Sequence, residues 1–405
     1  MKPLKILYIM YEDLTSTYAE SYFIPLIEGI TNEGDSVLFI RVTQKNANEK
    51  IAIKRLSEHF LLVSAPIGMF NLRQVLQIQK LAQNFFGNRI GCNNLVIARG
   101  LTTFWICLAS GLLTKTKLNF IYDSDGLSAD EAIEFRKSWK SLVLYVPARI
   151  MEACLLLRSD MVLTRSKMTM AVLQGRMPLA RGRHFLELNN GCDPKKYTKI
   201  NFGDRMIARY SLGFSKNDVV FVYLGSYGHQ YEFEKMLFIF SQIQVLGFKK
   251  KLLVFVPASK IAAVRELVEG FDIHPDSFVI QNLGHEQTPF KLSAADFGFS
   301  LRQESFSMRH VKPLKTREYL FSGLSVIYSK FTGDEKGLPS NIGFVLDGIE
   351  KPDLIVLQKW VQERMLNQEY FYNEARQFAL LNLSIEKDIA LFSEAIKNVM
   401  RRDQP

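Results

Sequence analysis

Short apolar runs rich in β-branched and aromatic residues alternate with longer stretches of helical periodicity along almost the whole chain. In the first half the runs Lys5–Met10, Ser36–Arg41, His59–Ser64, Asn94–Ala98, Leu118–Tyr122, Met161–Thr164 and Phe185–Leu188 read as strands, with helical patterns at Ala19–Asn32, Asn71–Phe86, Ser138–Leu157 and Lys167–Gly175. The runs are continuously apolar, as strands are when helices cover both faces of their sheet. The pattern therefore predicts parallel, doubly wound α/β architecture. After Asn189-Asn-Gly-Cys-Asp-Pro194 and a polar linker the series restarts. Strands are expected at Val219–Leu224, Lys251–Val256, Ser277–Gln281, Phe297–Ser300 and Ser325–Ser329. Helices are expected at Glu232–Leu246, Lys260–Glu269, Thr288–Ala294 and Lys315–Ser322, with helical periodicity over Asp353–Met400. Asn-Gly and Asp-Pro are strong breakers, which puts the domain boundary within 189–205. The division expected is residues 1–195, residues 196–380, and a last helix, 381–405, that packs back on the first domain.

A chain of 405 residues suits two domains better than one core. Its 47% hydrophobic and 23% charged content is that of a globular protein. The four cysteines (Cys92, Cys107, Cys154, Cys192) form no CxxC pair, and the six histidines show no HxH or HxxxH spacing. A disulfide framework and a metal site are therefore not expected. The most apolar stretches, Phe104–Leu113 and Leu142–Leu157, fall short of the roughly 20 residues that cross a bilayer. The net charge of +10 is uneven: residues 1–195 hold 24 Lys/Arg against 17 Asp/Glu. A basic first half points to an anionic partner, a phosphorylated acceptor or a lipid surface. Two stretches, Asn71–Arg89 and the basic run from Arg165 to Arg183, have the amphipathic, cationic character of a face that lies on anionic lipid. Residues 165–183 contain no aromatic side chain to interleave with their cations, so nucleic acid is not the expected partner.

The most informative segment is Ser307–Ile327. Pro313 suits the first turn of a helix, where its missing N–H costs nothing. Free N–H groups at that end, with Lys312 and Lys315 beside them, make a site for a diphosphate. Glu318 follows one turn later and can accept hydrogen bonds from two vicinal ribose hydroxyls. Gly323 ends the helix before the next strand. No GxGxxG follows the first strand, and GxxxxGK[ST] and GxSxG are absent, which lowers the dehydrogenase, P-loop and hydrolase readings.

The run Pro313-x-Lys315-x-x-Glu318-Tyr-Leu-x-x-Gly323-x-x-Val-Ile, followed by Gly333-Asp334, resembles the donor-site signature of bacterial family 4-like glycosyltransferases, which build surface polysaccharides. Three other segments agree in order. Tyr223-Leu-Gly225-Ser226-Tyr227-Gly-His-Gln-Tyr231 resembles the loop opening the donor domain. Leu283-Gly-His285-Glu286-x-x-Pro289 resembles the nucleobase-side loop. Tyr122-Asp123-Ser-Asp125-Gly126-Leu-x-x-Asp130-Glu131 resembles an Asp-x-Arg-Gly-x-x-x-Asp-Glu element facing the acceptor. The resemblance implies a GT-B fold, two doubly wound Rossmann-like domains facing a central cleft. The first domain would take a glycan or lipid-linked acceptor and the second a UDP- or GDP-linked sugar.

The implied activity is a hexosyltransferase-like sugar transfer with retention, without metal or cofactor, in the cytoplasm and peripheral to the inner face of the plasma membrane. The implied catalytic residues are Lys315, Asp123 and Asp125, the two aspartates orienting or deprotonating the acceptor hydroxyl. Arg309 or His310 would help Lys315 meet the charge on the leaving diphosphate. Donor contacts are expected from Glu318, Lys315, Gly225, Ser226, Tyr227, His285, Ser307, His310 and Thr316. Three features depart from the pattern. Eight residues before Glu318 stands His310 in place of a glutamate, which leaves Arg302, Glu304 or Ser307 for contacts to the transferred sugar; the arginine of the acceptor element is Asp125; and the loop after the donor domain's first strand offers His229, Gln230 and Lys235 where many relatives place an arginine and a lysine. The same scaffold would also serve a nucleotide-sugar epimerase or hydrolase, or a non-catalytic binding subunit.

Overall fold

A computed structural model describes residues 3–12, 18–43, 52–66, 72–87, 93–115, 118–124, 126–136, 139–180, 184–197, 201–330, 337–347 and 351–402. The chain divides into two compact units, residues 1–189 with 386–405, and residues 190–385.

The first unit is built on β1 (Lys5–Tyr11), β2 (Ser36–Thr43), β3 (Ala52–Arg55), β4 (Phe60–Pro66), β5 (Asn94–Arg99), β6 (Asn119–Asp123), β7 (Met161–Thr164) and β8 (His184–Glu187). They form one sheet in the order β3-β4-β2-β1-β5-β6-β7-β8. All pairs are parallel except β3 with β4. Every residue of β5, β6 and β7 is buried, as the continuous apolar runs require of strands covered on both faces. β3 has no counterpart among the expected strands. All four of its side chains are exposed and it carries Lys54 and Arg55, so it has no hydrophobic pattern to betray it and reads as a charged sheet edge.

The helix Leu72–Phe86 gives the core Ile78, Ala82 and Phe86. Leu81 and Phe85 pack against the same cluster, while Leu76 stays exposed. The region 353–400 is three helices, Lys351–Leu366, Gln368–Asn382 and Ile385–Arg402. The last belongs to the first unit. There Asp388 accepts from the Tyr22 hydroxyl (2.9 Å) and from the Asn189 N–H (2.8 Å). Gly29 faces Ile389 so closely that a Cβ would stand 2.3 Å from its side chain.

The second unit holds β9 (Asp218–Leu224), β10 (Lys249–Phe255), β11 (Phe278–Gln281), β12 (Phe297–Ser300), β13 (Ser325–Ser329) and β14 (Gly343–Leu346). They form an all-parallel sheet in the order β11-β10-β9-β12-β13-β14. β10 and β11 lie on one side of β9, and β12 to β14 on the other. The seam between β9 and β12 is therefore the topological switch point, where ligands of open α/β sheets bind outside the carboxyl ends. The segment expected as a polar linker contains a helix, Phe202–Ser211, opened by an Asn201–Asp204 capping box. Its Arg205 and Arg209 are buried and both pair with Asp296, which also accepts the Val220 N–H (2.7 Å). Local polarity hid a helix whose charges are satisfied only through tertiary partners.

Candidate functional site

At the β9/β12 seam the tail of the sheet is held by Tyr319. Its hydroxyl accepts from the Leu224 N–H (2.8 Å) and donates to the Phe299 carbonyl (3.3 Å), bridging the two strands. The ring lies on β12 at Gly298, where a Cβ would stand 2.2 Å from it. Tyr319 belongs to the helix Leu314–Phe321, so this one side chain fixes that helix against both strands. Pro313 is the residue before the helix and not part of its first turn as expected, with φ −67° and ψ 126°. A prolyl residue there cannot continue the helix backwards, and its carbonyl accepts from Thr316 N–H (3.3 Å) and Arg317 Nη1 (3.2 Å). No side chain caps the opening of the helix. The end thus keeps the partial positive charge of a helix N-terminus.

Lys315 sits in that first turn with 7% of its surface exposed, and its Nζ has no hydrogen-bond partner among the described residues. Among the described residues the ammonium lies over two aromatic faces, 4.1 Å from the Tyr223 ring centre and 4.9 Å from that of Tyr231. Burial, aided by the nearby Arg302 charge, lowers its pKa well below the ordinary lysine value, while Glu318 acts the other way. A cation in this state is poised for an anion, because a buried charge lacking a partner carries a large desolvation cost. Gly225, just beyond β9, has φ +137°, and a Cβ there would lie 3.4 Å from Lys315 Nζ. The positive φ is what favours glycine there.

Arg302 follows β12. Its guanidinium lies 4.4 Å from the opposite partner in the cluster, the Tyr231 ring, and its Nε is also buried with no hydrogen-bond partner. Tyr231 thus carries two cations, each with an unused N–H donor. Glu318, one turn along the helix from Lys315, is buried. Loss of hydration pushes its carboxyl up to about 7, with Lys196 and Lys315 pulling in the opposite direction. No described residue donates a hydrogen bond to it.

Of the residues singled out in the sequence, Lys315, Glu318 and Gly225 come together at this helix mouth. Ser226 is exposed beside them, its carbonyl accepting from Tyr223 Oη (2.5 Å). Others are tied into local structure. Thr316 bonds Ser300 (2.8 Å), and the Tyr227 ring packs edge-on against Phe233. Ser307 is buried with its hydroxyl 3.3 Å from that of Ser305, and His310 Nδ1 lies 2.6 Å from the Phe306 carbonyl. Arg309 is paired with Glu304 at the surface. His285 opens the short turn His285–Gln287, with its side chain outside the described set. Asp125, Gly333 and Asp334 lie outside the described residues. Sequence reasoning missed the parts played by Tyr231 and Lys196. Nothing in a lone loop tyrosine or a linker lysine announces that the fold will bring the one against Lys315 and Arg302 and the other near Glu318.

Asp123 stands elsewhere, at the carboxyl end of β6 in the first unit, and is fully buried. Its carboxylate pairs with Arg165 (2.7 Å) and Arg99 (3.4 Å) and accepts from the Tyr8 hydroxyl (3.1 Å). That placement suits a carboxylate that holds two guanidiniums in position. In this structure its carboxylate is engaged by these three partners.

No family model matches the sequence, and no curated protein matches it. Solved structures do match in fold. Sucrose-phosphate synthase from Thermosynechococcus elongatus is 13% identical over 99% of this chain and 100% of its own, with a TM-score of 0.74. Anabaena HepE, solved with UDP-glucose, is 12% identical over 98% and 100%, with a TM-score of 0.68. WaaG, a glycosyltransferase involved in lipopolysaccharide biosynthesis, is 15% identical over 97% and 99%, also at 0.68. The likeness runs the length of both chains, and the fold expected from the sequence, the two parallel-sheet domains of GT-B, is the fold observed.

Proposed function

We propose that this protein is a hexosyltransferase that moves a sugar from a UDP- or GDP-linked donor to a surface-glycan or lipid-linked acceptor. The reading includes retention at the anomeric carbon, no metal ion, and work at the cytoplasmic face of a membrane with which the protein makes peripheral contact. One observation carries it. A nine-tenths buried lysine without a hydrogen-bond partner stands at the uncapped start of a helix, at the switch point of a parallel sheet. That is a receptor for a diphosphate. When the bond between the anomeric carbon and the diphosphate breaks, negative charge grows on the departing oxygen. Preorganised donors and cations that meet that charge supply most of the rate enhancement in such reactions. Lys315, the amides of its turn and Arg302 are the groups assigned here to that work. Glu318 is assigned to the ribose hydroxyls. That HepE has been solved with UDP-glucose and that WaaG serves lipopolysaccharide biosynthesis support the choice of donor class and acceptor class.

The test is a thermal-shift screen with UDP, GDP, CMP and dTDP on the wild type and on Glu318→Ala. One nucleotide should stabilise the wild type, and the variant should lose roughly 1–3 kcal/mol of that binding as polar contacts disappear. Equal stabilisation of both proteins would remove the ribose assignment, and no stabilisation by any nucleotide would remove the donor site.

A further inference from the structure

The turn His229–Tyr231 puts one phenol ring against two cations that come from different elements of the second unit. Lys315 comes from the first turn of the helix Leu314–Phe321, and Arg302 from the chain just beyond β12. The backbone at Arg302 is locked to the end of β13. There Ser329 Oγ accepts from the Arg302 N–H (2.8 Å) and donates to the Arg302 carbonyl (3.0 Å). The tyrosine's turn is tied to the same loop, because the Gln303 N–H donates to the Gln230 carbonyl (3.1 Å). The Tyr231 N–H closes the turn on the Gly228 carbonyl (3.1 Å). The ring packs against the core of the unit, with Tyr223 edge-on at 6.5 Å. Its place is thus set by backbone and core, whereas both cations reach it on long side chains.

Lys315 Nζ and Arg302 Nε are both buried without a hydrogen-bond partner among the described residues. The Arg302 charge works against a charged Lys315. Two like charges on side chains rich in rotamers would move apart if nothing held them. One ring opposes this, since its negative face attracts both, 4.4 Å from the Arg302 guanidinium and 4.9 Å from the Lys315 ammonium. A carboxylate in the same position would hold the cations as firmly, but it would neutralise them and compete with phosphate. A π face attracts the charge and leaves N–H donors for an oxyanion. Two gathered cations with unspent donors complement two linked phosphates better than one.

We infer that Tyr231 is a positioning residue whose ring holds Lys315 and Arg302 together, so that they meet a nucleoside diphosphate as a pair and favour it over the monophosphate. The inference rests on the donor site proposed above. It adds a residue that acts through the two cations and not on the reacting bond.

The test is isothermal titration of the full chain with UDP, UMP and uridine and with GDP, GMP and guanosine. The wild type is compared with Tyr231→Phe, which keeps the π face, and Tyr231→Leu, which keeps apolar bulk without it. With the base that binds, the wild type should prefer diphosphate to monophosphate by at least roughly tenfold. Tyr231→Phe should keep that ratio within about twofold, and Tyr231→Leu should lose roughly tenfold in diphosphate affinity. Affinity for the nucleoside should not change. A structural role would instead lower all three affinities together, along with the melting temperature of the free protein. Should leucine lower that temperature, Tyr231→Met, whose flexible chain fills the same gap, gives the same comparison. The route is read by a double-mutant cycle. With Arg302→Met already present, Tyr231→Leu should cost less than about threefold, because Tyr223 still holds Lys315.

Equal losses in Tyr231→Phe and Tyr231→Leu would assign the effect to the hydroxyl and overturn the inference. Unchanged or tighter diphosphate binding by Tyr231→Leu would overturn it too, because the ring would then be idle or in competition with phosphate. If the wild type binds no diphosphate, the donor site falls and this inference with it. If Glu318→Ala weakens diphosphate binding and Tyr231→Leu does not, the donor site stands and only the role of Tyr231 fails.

Discussion

Replacing Lys315 by methionine should move stability and ligand affinity in opposite directions. The side chain keeps its length and its packing against Tyr223 and Tyr231 but loses an ammonium that is buried and has no hydrogen-bond partner. In the free protein two opposing effects act on that charge. Loss of hydration costs several kcal/mol, whereas a cation over aromatic faces returns about 0.5–2 kcal/mol. The depressed pKa of Lys315 says which is larger. A thioether over two rings is at home in the same space. Lys315→Met should therefore leave the free protein unchanged or stabilise it by about 1–2 kcal/mol, a rise in Tm of about 3–6 °C for a unit of this size.

Binding of the nucleoside diphosphate reverses the balance, because the phosphate supplies the missing partner. Hydrogen bonds to charged groups are worth about 1.5–3 kcal/mol, so the variant should bind the diphosphate about 10- to 150-fold more weakly. The parent nucleoside, which lacks phosphate, should bind both proteins alike. Thermal unfolding of the free proteins and isothermal titration with the diphosphate and the nucleoside check all three statements. A variant that melts several degrees lower yet binds the diphosphate as tightly as wild type would refute the reasoning, since Lys315 would then be a structural residue.

Two further outcomes are expected. Asp123→Asn leaves two buried guanidiniums without their shared charge, so it should cost about 3–5 kcal/mol in urea denaturation. A stable Asp123→Asn protein that binds donor but transfers no sugar would instead restore the aspartate as a base. Glu318 is raised by burial from the ordinary carboxyl value of 4.5 to about 7, so between those values the folded chain holds a proton that the unfolded chain has released. Its contribution to stability is therefore present below pH 4.5, is lost as pH rises to about 7, and is level above. The span is about 3 kcal/mol. Glu318→Gln should remove that slope from urea midpoints measured across the window, and an identical slope in both proteins would contradict it.

The amino-acid sequence by itself determined the fold class, and it did so for a local reason. A strand covered on both faces is apolar on both, with small or paired polar residues at its ends. Runs such as Asn94–Ala98, Phe297–Ser300 and Ser325–Ser329 state that requirement without reference to the rest of the chain. It also placed the helix that begins after Pro313, because proline, uncapped amides and a following Gly323 are local instructions. The edge strand β3 and the helix Phe202–Ser211 escaped because their residues are polar. What they need, a neighbouring strand in one case and Asp296 in the other, lies far away in the chain.

The chemistry was decided by tertiary structure. Lysine, aspartate and an apolar helix have the same composition whether paired or bare, buried or exposed. Only the packed fold shows that Lys315 was left without an acceptor while Asp123 was given two arginines. The helix Trp139–Arg158 presents the same division. In the sequence it reads as a helical, apolar stretch too short to cross a bilayer. There was enough protein to cover one of its two apolar faces, and the count of covering neighbours is a property of the whole fold that no window of sequence contains.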